Sequence, residues 1–252
     1  MSSAVNEMQI TRNRAKGGRR ADAAARNVWL KPAPTPRDEP TLNRARIVDE
    51  ALALLDSEGI ERLTMRRLAE RLGHGSTTLY WHVDTKDDVL DLCLDAIYGE
   101  VPLPEHTEGW RGEITFVLTG WRTVMLRHRW STALVGRPMI GPNILARMEF
   151  LQASLLRAGL TDAHLAAATW GLYNHVIGSA VSRAGWHMPA EEREQAQQHL
   201  SAHSDRYPTL AAHGYMLDDD WDGTFTRSLN YLLDGIEAQI ERGAARGIGR
   251  TP

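Results

Sequence analysis

The chain has 252 residues and a formal net charge of −3. Of its residues, 42% are hydrophobic and 24% are charged, which is typical of a globular protein with a substantial core. Its single cysteine, Cys93, excludes an intramolecular disulfide and a zinc site built from several cysteines, and we expect no metal and no other cofactor. No apolar run reaches about 18 residues and residues 1–10 lack the apolar core of a secretion signal, so we expect a cytoplasmic protein with no membrane segment.

Charge is distributed unevenly along the chain. Residues 1–40 contain eight basic and four acidic side chains, whereas acidic residues cluster later, at 191–194 and 218–220. This polarity is typical of a nucleic-acid-binding module joined to a second domain. Residues 1–40 also contain four prolines and show no apolar period, so we expect a disordered basic extension. It is either a passive tail or an arm that contacts DNA. We expect another flexible tail over residues 246–252.

The first domain is predicted over residues 41–101. A helix begins near Thr41 or Asn43 and ends at Gly59, and its apolar stripe faces the core. A second helix begins after Thr64 and ends at Gly73, which tolerates a positive φ. A long helix then begins after Asp84 or Thr85, and its predicted core face consists of Val89, Leu90, Leu92, Leu94 and Ile97.

Residues 64–83 are typical of a DNA-binding helix-turn-helix. An amphipathic helix is followed by a glycine turn and by a short segment with hydroxyl, phenol and imidazole side chains. Such side chains hydrogen-bond phosphates and base edges. The alternative is an ordinary helical hairpin.

Pro102 and Pro104 mark the predicted end of the first domain, and the rest of the chain shows helical periodicity. We therefore predict an all-α protein, with a three-helix DNA-binding domain followed by a helical ligand-binding and dimerisation domain over residues 102–245. Its helices are predicted near residues 110–128, 131–137, 142–158, 161–184, 190–203 and 219–243.

The span from Leu42 to Ile97 resembles the TetR family of bacterial transcriptional regulators. The matching pieces are Glu58-Gly59, Leu63-Thr64, the string from Leu68 to Gly73, the string from Thr78 to Val83, and Lys86 with Leu90. The string from Leu79 to Val83 is most similar to the tetracycline-repressor branch, with Val83 in the place of a phenylalanine. Gly136-Arg137-Pro138 resembles a segment of the ligand domain of that branch. Leu134 occupies the position of its metal-coordinating histidine, and an apolar side chain cannot bind magnesium.

The resemblance implies a set of DNA contacts. Arg66 is suited to reading guanine through two parallel hydrogen bonds, whereas Tyr80, His82 and Lys86 are suited to phosphates. The predicted contact residues are Thr64, Met65, Arg66, Ser76, Thr77, Thr78, Tyr80, His82 and Lys86.

We expect a homodimer on palindromic double-stranded operator DNA, formed through the helices near 161–184 and 219–243, because one recognition helix reads only a few base pairs. Aromatic and methionine side chains also predict a pocket for a small molecule that the sequence does not identify. Its candidate residues are Trp130, Met139, Trp170, Tyr173, Asn174 and His175.

The predicted function is therefore a transcriptional regulator, a repressor that a small molecule releases from its operator. The alternatives are an activator or a ligand-independent DNA-binding protein of the same fold. A helical enzyme is less favoured, because the chain has no nucleophile elbow, P-loop, dinucleotide-binding motif or zinc-helix spacing.

Overall fold

The computed structural model describes residues 27–31, 42–104 and 109–248, and these residues form helices and loops without a β-strand. The predicted all-α fold is confirmed. None of the described helices is long and apolar enough to cross a membrane. The α-helices are α1 (Arg44–Glu58), α2 (Met65–Leu72), α3 (Ser76–Leu79), α4 (Lys86–Gly99), α5 (Trp110–Arg127), α6 (Pro142–Arg157), α7 (Asp162–Gly185), α8 (Ala190–Ala202), α9 (Pro208–Ala212) and α10 (Trp221–Ile248). The 3-10 helices are Val28–Leu30, Ile60–Arg62 and Arg129–Leu134.

Local capping chemistry determines where the first helices begin. The Asn43 side chain accepts the Arg46 N–H at 2.9 Å, so Asn43 is the N-cap of α1. The Thr64 hydroxyl accepts the Arg67 N–H at 3.2 Å and caps α2. Thr85 and Asp88 form a capping box at the start of α4. Gly73 ends α2 with φ of 74°, a conformation that glycine adopts without strain.

The described residues fall into two compact units. The N-terminal unit extends to Pro102 and also includes Arg127–Glu149, whereas the C-terminal unit contains Leu103–Leu126 and the described residues from Phe150 onward. The sequence predicted a second domain over residues 102–245, and this boundary stays a prediction. Residues 127–149 group with the N-terminal unit because polar contacts tie them to α1 and α4.

The N-terminal unit has its core where α1 and α2 pack together with α4. Leu79 and Val83 extend this core into the segment after the glycine turn, and the smaller Val83 packs inward as predicted. All five residues predicted for the core face of α4 are buried. Other fully buried residues of this core are Ile47, Leu54, Leu55, Leu63, Leu68 and Tyr98.

The C-terminal unit contains α5, α7 and α10, and the last two pack against each other. Arg111 on α5 forms ion pairs with Asp234 and Glu237 of α10, at 2.6 and 3.0 Å. The buried guanidinium of Arg122 bonds Asp222 at 2.7 Å and the Ser179 hydroxyl at 3.0 Å. Polar contacts therefore connect the three helices beside their apolar core.

Both predicted tails lie largely outside the described residues. Of the stretch 1–40, which we expected to be disordered, the structure describes residues 27–31, and these form a short 3-10 helix with Val28 buried. This part of the expectation therefore differs from the structure. Of the tail at 246–252, the backbone to Ile248 continues α10, and the remainder lies outside the described residues.

Candidate functional site

The segment Ser76–Val83, which we call the recognition segment, follows the glycine turn as one helical stretch. The amides of Tyr80 and Val83 bond the carbonyls of Ser76 and Leu79, at 3.1 and 3.2 Å, so the helical turn continues past the end of α3. Burial of Leu79 and Val83 fixes one side of this segment against the core. Its hydroxyl, phenol and imidazole side chains are at least partly exposed: Ser76, Thr77, Thr78, Tyr80 and His82.

The three arginines of α2 have different surroundings. The side chain of Arg66 is 86% exposed, and its Nε bonds the Glu70 carboxylate one turn later, at 2.8 Å. Arg67 instead bonds Glu58 of α1, and Arg71 bonds Glu50 of the same helix. These two arginines attach α2 to α1, whereas the guanidinium of Arg66 extends into solvent, where a base edge could approach it.

Three other predicted DNA contacts lie beside this segment. Thr64 is exposed, and its hydroxyl is the N-cap of α2. Met65 is half-buried at the first position of α2. Lys86 was expected to hold a phosphate, but its ammonium group donates to the Ile60 carbonyl at 2.7 Å. A phosphate contact by Lys86 would have to replace or share that bond.

Buried carboxylates of α4 hold residues 137–144. Asp91 accepts the Arg137 Nε–H at 2.7 Å, and burial raises the pKa of Asp91 although the arginine opposes this shift. Asp95 accepts the backbone N–H of Ile144 at 3.0 Å and that of Asn143 at 3.3 Å, which satisfies the first turn of α6. The helix after the recognition segment is therefore tied directly to the region around Arg137.

A second polar cluster surrounds His128 at the end of α5. Its Nδ1 lies 2.8 Å from Asp56 of α1, and its Nε2 lies 2.9 Å from Glu100 after α4. Each ring nitrogen therefore lies within hydrogen-bond distance of a carboxylate oxygen. The indole of Trp130 donates to the same Asp56 oxygen at 2.7 Å. Sequence reasoning did not find this cluster, because its members are distant in the chain.

The six predicted pocket residues do not belong to one unit. Trp130 and Met139 lie in the N-terminal unit, where Trp130 bonds Asp56, whereas the other four lie on α7 in the C-terminal unit. Asn174 was predicted to line the pocket, and its side chain is exposed. The prediction relied on spacing along the chain, which does not reveal which side of α7 is covered.

Tyr173 and His175 are the predicted pocket residues that contact other aromatic side chains of the C-terminal core. The Tyr173 ring lies edge-on to buried Trp121, at 6.5 Å, and to Trp170, at 5.6 Å. It also packs against the cluster of Met125, Ile177 and Ala180. His175 lies half-buried beside Phe225. These contacts provide apolar surface with polar groups at its edge, as small-molecule sites have.

An open groove of about 380 Å³ runs between α7 and α10. Small side chains of α7 and larger ones of α10 form its walls, and Tyr231 at its edge is 71% exposed. A contiguous apolar surface of this kind marks a site of protein association. The lining residues are Leu160, His164, Ala167, Ala168, Gly171, Leu172, Tyr231, Leu232, Gly235, Ile236, Gln239 and Arg242.

Comparison with known proteins identifies both parts of this arrangement. The family model for the tetracyclin repressor-like C-terminal domain matches residues 102–240, and the model for bacterial regulatory proteins of the tetR family matches residues 47–93. The chain belongs to the TetR family. It is a DNA-binding transcriptional regulator and not an enzyme.

The relatives of this TetR-family regulator include proteins of Saccharopolyspora and Streptomyces. An HTH-type transcriptional regulator of Saccharopolyspora erythraea is 42% identical over 222 residues, which cover 86% of this chain and 94% of the relative. The transcriptional repressor DrrR1 of Streptomyces coeruleorubidus is 32% identical, with 82% of each chain covered. The crystal structure of apo ActR from Streptomyces coelicolor superposes with a TM-score of 0.74 at 30% identity, covering 80% of this chain and 98% of ActR.

By the resemblance, Leu134 stands where a tetracycline repressor is expected to carry a metal-coordinating histidine. It is buried in the 3-10 helix Arg129–Leu134, and its apolar side chain offers no metal ligand. Across the described ranges 27–31, 42–104 and 109–248, no group of three or more histidine, cysteine, aspartate or glutamate side chains converges on one point. Leu134 therefore offers no ligand to a magnesium ion at this position.

Proposed function

We propose that the protein is a repressor that leaves its operator when a small molecule binds the C-terminal unit. The observation that carries this proposal is the attachment of α4 to residues 137–144 through Asp91 and Asp95. These residues fall within the match to the C-terminal family domain, although they pack in the N-terminal unit. A movement of the ligand domain would reach the helix that follows the recognition segment through these bonds.

The proposed DNA-binding face consists of the exposed residues of α2 and the recognition segment. Arg66 reads a base, and Tyr80 and His82 hold phosphates. The hydroxyls of Ser76, Thr77 and Thr78 contact phosphates, or the threonine methyl groups contact a thymine methyl. Thr64, Met65 and Lys86 lie at the edge of this face. Two such faces engage a palindromic operator, and the dimer forms through α7 and α10, whose uncovered groove accommodates the same helices of a second copy. Because the protein binds DNA, we propose that it is cytoplasmic.

The effector is proposed to be an aromatic small molecule without a required metal ion. Trp170, Tyr173 and His175, together with buried Trp121, offer rings for stacking and polar groups for orientation. One crystal structure of the similar protein ActR is a complex with actinorhodin. Actinorhodin is therefore the first candidate to test, and tetracycline with Mg²⁺ is the negative control.

The experiment has two stages. Operator sequences are first selected from random duplex DNA by the full-length protein, and the Kd of the selected duplex is measured by fluorescence anisotropy. Candidate effectors are then titrated into the complex. A true effector raises the Kd by about 5- to 150-fold, the usual range of coupling between two sites.

Transcription from a promoter that carries the operator decides the sign of regulation. Loss of transcription on adding the protein, with recovery on adding the effector, supports the repressor. Increased transcription shows an activator instead. Operator binding that no compound of the tested class alters favours a ligand-independent regulator.

A further inference from the structure

The described residues ahead of the DNA-binding helices form a docked segment, Asn27–Lys31, which we call the N-terminal anchor. Asn27 accepts the Trp29 N–H at 3.0 Å and begins the 3-10 turn. Val28 is only 3% exposed, and the turn packs on α4. Trp29 contributes to a small cavity that is also lined by Asp91 and Tyr98 of α4 and by Met139. The anchor therefore packs into a defined site on the N-terminal unit.

Lys31 is the charged end of this anchor. Its ammonium group lies 2.6 Å from Oδ2 of Asp88 and 2.9 Å from Oδ2 of Asp84. The side chain of Asp88 is 1% exposed, so its carboxylate is removed from water. A buried carboxylate is tolerated when a partner charge and hydrogen bonds compensate for its lost hydration. Lys31 supplies that charge.

Asp88 in turn holds the junction between the recognition segment and α4. Its Oδ2 accepts the backbone N–H groups of Asp84 and Thr85, each at 3.1 Å. Residue 84 follows Val83 directly, so this carboxylate fixes the backbone where the recognition segment ends. One oxygen atom therefore joins Lys31 of the anchor to the two amides that follow the DNA-binding residues.

We propose that Lys31 is a positioning residue for operator recognition. Through the buried carboxylate of Asp88, it fixes the backbone of residues 84 and 85, which directly follow the recognition segment. Val28 and Trp29 keep Lys31 in place by docking the anchor on α4. Lys31 itself contacts no DNA in this arrangement, because its ammonium group is engaged by Asp84 and Asp88. The inference rests on the recognition segment proposed above, and it assigns a role in DNA binding to a residue outside the helix-turn-helix.

The test compares full-length Lys31→Met and Lys31→Arg with the wild-type protein on the selected operator, at a temperature where circular dichroism shows all three folded. Lys31→Met should raise the Kd at least tenfold, whereas Lys31→Arg should remain within about threefold of wild type because it keeps the charge. Arg227→Met, which removes the exposed ion pair with Asp220 in the C-terminal unit, is the matched control and should leave the Kd unchanged.

The salt dependence of binding separates positioning from direct contact with DNA. A positioning residue leaves the slope of log Kd against log salt unchanged, whereas loss of a phosphate contact reduces the slope by about one. Hydrogen exchange gives a second readout. In Lys31→Met the amides of Asp84 and Thr85 should exchange faster than in wild type, and those of α10 should not.

The double variant Trp29→Ala/Lys31→Met completes the test. If the anchor acts as one unit, the double variant should bind about as weakly as Lys31→Met alone. Wild-type affinity of Lys31→Met, a reduced salt slope, or unchanged exchange at residues 84 and 85 would each overturn the inference. Failure of the wild-type protein to select any operator would instead contradict the proposed function.

Discussion

The imidazole of His175 lies parallel to the ring of Phe225, with 5.2 Å between the ring centroids and 5° between the planes. The guanidinium of Arg122 lies 4.8 Å from the centroid of the same phenyl ring. The Ser228 hydroxyl lies 3.3 Å from the His175 Nε2. Residues of α5 and α7 thus contact one aromatic ring of α10. These contacts connect the helices that carry the proposed effector and dimer surfaces.

This arrangement predicts a pH dependence of stability. Burial lowers the pKa of His175 below its ordinary value of 6.5, and the charge of Arg122 lowers it further against an opposing backbone hydrogen bond. The unfolded chain therefore takes up a proton at a higher pH than the folded chain. The stabilising contribution is fully present above about pH 6.5 and is lost as the pH falls from there through the lowered pKa of the folded protein.

His175→Gln should remove this contribution. The free energy of unfolding, measured with urea at several pH values and one protein concentration, should fall less steeply below pH 6.5 in the variant than in wild type. His187→Gln is the control, because that histidine is exposed at the C-terminal side of α7. Parallel pH profiles for His175→Gln and wild type would contradict the prediction.

Local chemistry explains which parts of the fold the sequence predicts well. Asn43, Thr64 and Thr85 cap helices because each side chain accepts the amide N–H three residues later, and such short-range bonds can be predicted from the sequence. The glycine turn and the burial of Val83 follow from equally local rules. The helices of the second domain also agree with the structure to within a few residues at most ends, because their apolar periods are long.

Contacts between distant residues account for what the sequence did not predict. Arg137 and Asp91 are 46 positions apart, and nothing in either segment indicates that they meet. The same holds for Asp56 and Trp130. Their hydrogen bond attaches Trp130, a predicted pocket residue, to the N-terminal unit. Lys31 lay in a proline-rich stretch with no apolar period, so its bond to Asp88 had no sequence signal.

Gly141→Ala should weaken the junction between α4 and α6. A Cβ atom at this position would overlap the carboxylate of Asp95, which bonds the first turn of α6. Moving that carboxylate removes its hydrogen bonds, and we expect a loss of about 1–3 kcal/mol in unfolding free energy. Urea denaturation followed by circular dichroism measures this loss.

Gly112→Ala is the control for this substitution. Gly112 lies in α5, and a Cβ atom there would have no neighbour within 4 Å. Because alanine favours helix over glycine, the control should be neutral or more stable by up to about 1 kcal/mol. A Gly141→Ala protein as stable as wild type would show that Asp95 can move without cost.

Gly171→Arg should disrupt the proposed dimer while leaving the protomer folded. Gly171 lines the groove between α7 and α10, and a Cβ atom there has no neighbour within 4 Å in the isolated chain. An arginine would place a charge in the contact with a second copy, where its lost hydration is not recovered. Light scattering after gel filtration should show a monomer, and operator affinity should fall by about 10³-fold toward non-specific binding.

Gln195→Arg adds the same charge to the exposed face of α8 and should leave both the dimer and the operator affinity unchanged. If Gly171→Arg remains a dimer with wild-type affinity, the groove does not form the interface.

Arg66 and Arg67 provide the sharpest comparison at the DNA-binding face, because they are adjacent in α2 but differ in their contacts. Arg66 extends into solvent beside Glu70, whereas Arg67 bonds Glu58 at 2.6 Å, with 39% of its side chain exposed. Arg66→Ala should cost about 1–3 kcal/mol of operator binding and should abolish the preference for guanine at one position of each half-site. Arg67→Ala should keep that preference and should lower the unfolding free energy by at most about 1 kcal/mol, as expected for an ion pair at the surface. Anisotropy titrations against operators with each guanine replaced in turn measure both effects. Equal loss of discrimination in the two variants would mean that Arg66 and Arg67 do not differ in role. No loss in Arg66→Ala would mean that the hydroxyls of the recognition segment read the sequence without Arg66.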